Sequence, residues 1–503
     1  MRKIIVWPMM LVLILLMMAP GAYAEGPFRV AGYDHEDTQH VWTDNLFFVR
    51  MQEKTGVEMT LEQYTTAESW AKAKAAMFAD GGELPDAIFK AALTPQETLQ
   101  WYAEGKLIDL KPYLEESCPN LWALLKTHPE WEQAITLPDG AIVALPALDE
   151  LQFNNAMWIN KSWLDSIGMA VPTTAEELTA VLRAFRDYDM NTNGNSKDEI
   201  PLTFSSLWDL RFLAHAFGIN ANDYYMTMSE DGTVSEILTS DANRAFLTWL
   251  NLLWTEGLLD ESGFTGLRSL SSSTEEDAAI VYGMMMASSP IELVNSSALD
   301  QYVLLEPFVY EGKQVYRDLT GDVVRGTFAI TSACADPAAL LKWVDYLYTE
   351  EGFILAEAGV EGEEFAWNDD GTWLWEHSAD MLMSSVLPEA TIRSGTSMPG
   401  WASVSFQQKI DEAATVRLIN AISRLHELDS EPYPLVWLTA EQQSRVDALQ
   451  YAIGSYAERQ MTWFVAGDVA LTDETWNEFC NTVKELGVDE MVGIWQSAAD
   501  SRY

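Results

Sequence analysis

Phe28-Arg29-Val30-Ala31 is a short, mostly apolar run that opens onto the polar Tyr33-Asp34-His35. Behind it, Asn45 to Lys54 carries Leu46, Phe47, Val49 and Met51 on helical spacing and stops before Gly56, and Val57 to Gln63 alternates apolar with polar residues. The order strand, polar loop, helix, strand predicts an α/β layer structure. Further along, Thr174-Ala175-Glu176-Glu177 has the capping-box pattern, in which hydroxyl and carboxylate satisfy each other's orphan amides. Leu178, Val181, Leu182 and Phe185 follow it as a helical stripe. Thr439-Ala440-Glu441-Gln442 repeats the arrangement ahead of Val446, Leu449, Ile453, Tyr456 and Phe464. A last helix is expected from about Asp473, with Trp476, Phe479, Cys480 and Val483 inward and Gly487 at its C-terminal end. The C-terminal quarter is therefore expected to be helical.

The chain has 503 residues, 48% of them hydrophobic, and a net charge of −46. That length suggests two or three domains at roughly 150 residues each. The apolar fraction is that of a globular protein, and the charge repels nucleic-acid phosphates and anionic bilayers. Arg2 and Lys3 precede an apolar run from Ile4 to Met18, interrupted by Pro8, and then Pro20-Gly21-Ala22-Tyr23-Ala24. This is the pattern of a secretory signal peptide spanning 1–24, and the protein is expected to be exported. Cys118, Cys334 and Cys480 show no regular spacing and indicate no disulfide framework.

Trp158-Ile159-Asn160-Lys161-Ser162-Trp163-Leu164-Asp165-Ser166-Ile167-Gly168, followed by Pro172-Thr173 and the first capping box, resembles the signature of family 1 extracellular solute-binding proteins, the carbohydrate receptors of ABC importers. Gly82-Glu83-Leu84-Pro85-Asp86-Ala87-Ile88, Asp139 to Pro146, Asp336-Pro337 and Trp343 to Tyr348 agree in the same order. Gly359 to Trp367 with Asp370-Gly371, and Gln496 to Tyr503, are similar to blocks of the large oligosaccharide-binding subgroup.

The resemblance implies a two-lobe periplasmic-binding-protein-like (type II) fold with a hinge, no catalysis, and a monomer that delivers an oligosaccharide to membrane permease subunits. The lobes are expected over 25–147 plus 322–390 and over 148–321 plus 391–503. The sequence departs from the lipoprotein members in lacking a cysteine after the leader. A secreted glycan-cleaving enzyme with a carboxylate pair, and a surface adhesin, are the competing readings.

Asp189-Met190-Asn191-Thr192-Asn193-Gly194-Asn195 places oxygen side chains at alternate positions with glycine sixth, as a calcium loop does. Ile200 stands where an EF-hand needs glutamate, so Asp198 and Glu199 supply the acids; Asp189, Asn191, Asn193, Asn195, Asp198 and Glu199 are the candidate ligands of a structural calcium ion. An indole covers the apolar face of a pyranose, so tryptophans near strand ends are ligand candidates. Trp42, Trp208 and Trp401 fit that description. Asp34 and His35 stand at the first strand's end, Asp149 and Glu150 near the expected first crossing, and Arg325 in Gly321-Asp322-Val323-Val324-Arg325-Gly326, where it could hold a carboxylated sugar. His35 and His40 are five apart, which one helical face cannot present to zinc.

Overall fold

The computed structural model describes residues 27–500 apart from 153–154, 266–273, 275–277, 318–320, 377–386 and 431. The expected leader lies outside the described residues. The first lobe is built on a six-stranded sheet in the order Gly400–Trp401, Ala144–Leu148, Val323–Ile330, Ala87–Phe89, Phe28–Tyr33, Met59–Tyr64. Phe28–Tyr33 runs parallel to both its neighbours, and Val323–Ile330 antiparallel to both of its own. Because side chains alternate along a strand, Val30, Phe89 and Phe328 enter one core with Trp343, while Ala31, Ile88 and Ala329 enter another with Trp70 and Trp101. A sheet covered on both faces is what the continuous apolar runs call for.

The opening β-α-β expectation is met. Asn45 caps the helix Leu46–Thr55 by accepting the Phe47 amide, and Gly56 ends it at φ 72°. The strand expected at Val57–Gln63 forms as Met59–Tyr64.

The second lobe holds a four-stranded sheet, Tyr302–Leu304, Ala156–Asn160, Tyr282–Ala287, Ile200–Thr203. The helix Ala175–Asp187 buries Leu178, Val181, Leu182 and Phe185 as its stripe predicts. Its cap differs in one respect from the expected box. Thr174 accepts the Glu177 amide, but the Glu177 carboxylate takes the amide and hydroxyl of Thr173, one residue earlier. Gly283 is forced by packing, since a Cβ there would lie 2.3 Å from the Phe185 ring.

The C-terminal helices Ala440–Ala466, Asp473–Glu485 and Val488–Asp500 join this lobe's core through Val446, Ile453, Phe464, Phe479 and Met491. The Thr439 box forms in full. The helix from Asp473 is not the last: Gly487, at φ 100°, turns the chain into Val488–Asp500. Among the described residues no helix is long and apolar enough to cross a membrane.

Candidate functional site

The chain passes from the first sheet at Leu148 to the second at Ala156, and returns between Leu304 and Val323. A third passage follows Gly400–Trp401, which pairs with Ala147 and Leu148 in the first sheet before the chain enters the second lobe's helices. Ile392 and Met398 also pack into the first lobe's core, whereas Phe365, Trp373 and Trp375 pack into the second's.

Where these segments meet lies a cavity of two adjoining chambers. Asp149, Gln152, Glu357, Trp375 and Gln407 line both. The polar chamber, about 290 Å³, adds Arg393, Ser394 and Ser397. The apolar one, about 210 Å³, adds Trp373, Leu418, Ile419 and Ile422.

The aromatic wall is rigidly built. The hairpin Phe365–Trp367/Trp373–Trp375 sets Trp373 at right angles to Trp375, with centroids 4.9 Å apart. Trp373 also stacks on Phe406 at 4.3 Å and donates its indole N–H to the Phe406 carbonyl. Trp375 Nε1 and Gln407 Nε2 are buried donors without a protein partner. A buried donor left unpaired is worth roughly 1–3 kcal/mol against folding, and both of these belong to residues that line the cavity.

The acidic wall is held by one guanidinium. Arg393 reaches Asp149 at 2.6 Å and Glu357 at 3.1 Å, and lies 4.7 Å from the Phe353 ring centre. Desolvation raises the Glu357 carboxyl above its ordinary pKa; the Asp149 charge adds to this and Arg393 opposes it.

The sequence-predicted site residues divide. Asp149 lines the cavity. Glu150, half-buried, follows it but is not among the lining residues. Asp34 is fully buried, paired with Lys90 at 2.9 Å and His40 at 2.6 Å. Trp42 is a core residue, 1% exposed, with its indole N–H on Asp34 and its ring against Phe89. It turns inward because Gly32 leaves the space: a Cβ at that position would lie 2.7 Å from the Trp42 ring. His35 is half-buried and caps a short turn, accepting the Asp37 amide.

Trp208 lies on the short helix Leu207–Leu210, not in a loop, and donates to Asp223, beside which Arg317 also pairs at 2.8 Å. Trp401 is half-buried against the first lobe's core, its indole N–H without a partner. Arg325 lies over the Trp437 ring at 4.4 Å and donates to the Val436 carbonyl; burial lowers its pKa to about 10. Neither Trp208, Trp401 nor Arg325 lines the cavity.

Sequence reasoning missed Trp375, Gln407 and Arg393. Trp375 did carry a signal, standing in Trp373-Leu374-Trp375 just after the Asp370-Gly371 turn.

In the loop 189–199, Asp189 accepts the amides of Asn193 and Gly194, and Glu199 accepts that of Met190. Asn191 accepts the Asn193 amide, Asn193 accepts that of Asn195, and the Asn193 side chain donates to Asp198. Asp198 Oδ1 and Glu199 Oε2 are buried without a partner. Among the described residues no set of three or more His, Cys, Asp or Glu is arranged as a metal site. Amide and carbonyl oxygens would therefore have to complete any cation shell at this loop.

The chain is 25% identical over 478 residues, 91% of its length and 87% of the relative's, to the fructooligosaccharide ABC transporter substrate-binding protein FusA of Streptococcus pneumoniae. The chain is thus similar in sequence to an oligosaccharide-binding extracellular solute-binding protein. No protein-family model matches the chain. Solved structures of such solute-binding proteins share the fold: FusA with kestose superposes with a TM-score of 0.75 at 23% identity, covering 94% of this chain and 99% of that one. A FusA EF-hand mutant with fructo-nystose superposes with the same score at 22% identity, over 94% and 99% of the two chains. An HMO-binding solute-binding protein of Bifidobacterium longum infantis reaches 0.78 at 21% identity, covering 95% and 99%. The two-lobe α/β architecture of these solute-binding proteins, with a helical C-terminal region, is the fold described above.

Proposed function

We propose that this solute-binding protein is the exported, monomeric receptor of an ABC importer, and that it carries an intact oligosaccharide in the cavity between its lobes. The observation that carries this reading is the pairing of two buried, unpartnered donors, Trp375 Nε1 and Gln407 Nε2, with an indole wall and two carboxylates in one cavity. A sugar hydroxyl offers both lone pairs and a proton, so it can take an N–H from one wall and donate to Asp149 or Glu357 on the other. The C–H face of a ring lies against Trp375 and Trp373. Both acids are already engaged by Arg393, which suits recognition better than acid–base catalysis. Closing the lobes over the glycan buries it and gives the permease a conformation to read. FusA, by name a fructooligosaccharide receptor, favours a neutral glycan. Trp208, Trp401, Glu150 and Arg325 would meet ligand only where it extends beyond the cavity.

The loop 189–199 fits a structural calcium ion. Asp189, Asn191, Asn193, Asn195, Asp198 and Glu199 would hold it, and the orphaned buried oxygens of Asp198 and Glu199 support the assignment. The ion would supply positive charge to a cluster of acids and set the loop's shape. Calcium is expected to raise Tm by a few degrees; an unchanged Tm after chelation refutes the assignment.

Native mass spectrometry with kestose and a mixed pool of neutral oligosaccharides, with calcium present, tests the function. A discrete adduct of intact glycan supports the receptor. Shortened glycans, or no adduct with any member of the pool, overturn it.

A further inference from the structure

Residues 391–398 form a strap that lines the polar chamber through Thr391, Arg393, Ser394 and Ser397. Its backbone is gripped from two sides. On one side the amides of Ile392 and Arg393 both donate to the Ala356 carbonyl, at 3.0 and 3.1 Å. On the other, the Lys90 ammonium donates to the carbonyls of Ile392, at 2.8 Å, and Ser394, at 2.7 Å. The same ammonium forms an ion pair with Asp34 Oδ1 at 2.9 Å.

The cluster has no other visible task. Lys90 and Asp34 are 0% exposed, so neither touches ligand. Asp34 is fixed in turn by His40 and the Trp42 indole, and His40 Nε2 lies 3.3 Å from the Ser394 hydroxyl. Gly395, at φ 84°, seats the strap against this cluster, since a Cβ there would lie 2.6 Å from Asp34 Oδ1 and 2.4 Å from Thr38. Lys90 itself sits at φ 49° and Ala92 at φ 45°, a strained stretch for residues with side chains. From the strap, Arg393 points the opposite way, into Asp149 and Glu357.

We infer that Lys90 is a positioning residue for ligand recognition: its buried ammonium holds the strap 391–398 in register and thereby fixes Arg393 against the two cavity carboxylates. The inference rests on the reading of the cavity as the glycan site, but its first readout does not need a ligand. Amide hydrogen exchange at Ile392 and Arg393 reports the strap, and exchange at Ala91 and Leu93, which donate to Thr327 and Gly326, reports the Lys90 loop.

In the wild-type protein the two sets should open together with one denaturant dependence; separate opening overturns the inference. Lys90→Met, and the charge-balanced pair Asp34→Asn with Lys90→Met should the single variant not fold, are expected to speed exchange at Ile392 and Arg393 at least tenfold. They should also weaken binding of the oligosaccharide that the wild type takes up at least tenfold. Lys74→Met is the control, because that buried lysine holds Ala92 and Glu97 but not the strap. Unchanged strap exchange in a folded Lys90 variant, or equal acceleration in Lys74→Met, refutes the role. If the wild type binds no glycan the function fails, and exchange still decides what Lys90 does.

Discussion

Two charge clusters in this protein are built on opposite terms. In the first lobe Lys90, Asp34 and His40 are wholly enclosed, with the ammonium donating to two backbone carbonyls and ion-paired to Asp34. In the second lobe Asp223 is half-exposed and collects Arg317, the Trp208 indole and, at 4.0 Å, Arg211. Burial raises both the desolvation penalty and the mutual attraction of an ion pair, so an enclosed pair contributes little net stability as a whole yet is expensive to break. The half-exposed cluster shares its field with water and salt. The first is therefore a device for holding backbone, and the second a softer brace around an aromatic.

The sharpest test of that contrast is Lys90→Met. It leaves the buried Asp34 carboxylate with only His40 and the Trp42 indole and should destabilise the fold by about 3 kcal/mol. Adding Asp34→Asn should recover most of the loss. Urea unfolding measures both, and a single-variant loss below about 1 kcal/mol would place Lys90 with the softer kind.

Next in size is the cavity wall. Trp375→Ala should weaken glycan binding by about 3 kcal/mol, roughly a hundredfold. Gln407→Ala should cost about 1.5 kcal/mol. Isothermal titration checks both, and equal small losses would move the site elsewhere in the cleft. Asp223→Asn should destabilise the second lobe by about 1 kcal/mol or less, and the difference should shrink in 1 M salt. A loss that persists at high salt would mean that the largely buried Arg317 depends on Asp223 as Asp34 depends on Lys90.

These clusters also show what the sequence can and cannot say. Periodicity and caps make the layers readable, because Leu178, Val181, Leu182 and Phe185 must face one way whatever they pack against. That Asp149 lines the cavity was legible for a similar reason: it follows the strand that leaves the first sheet. Trp42 misleads because a strand-end position says nothing about side-chain direction, and Gly32 ten residues earlier turns it inward. Trp375, Arg393 and Gln407 lie on a hairpin, a strap and a one-turn helix that become neighbours only on folding. Lys90 is the hardest to read, since a lysine after a short apolar strand looks like an exposed edge charge until Asp34 is seen beside it.

The smallest effect concerns Glu357, which stands between the two kinds of cluster: it faces the cavity, yet burial governs its ionisation. Its pKa is raised from the ordinary 4.5 by desolvation first, with Asp149 adding and Arg393 opposing. A raised carboxyl pKa means that the native state keeps a proton which the unfolded chain has already released. Relative to acid conditions, the group's contribution to stability is therefore intact below the ordinary value and declines as pH climbs through the raised one. Glu357→Gln removes that decline. The gap between variant and wild-type Tm should widen in the variant's favour from about pH 4 to about pH 7. A gap that stays constant would mean that Arg393 cancels the burial penalty at Glu357. A gap that narrows with pH would reverse the sign, making the Arg393 pairing the stronger influence on this carboxylate.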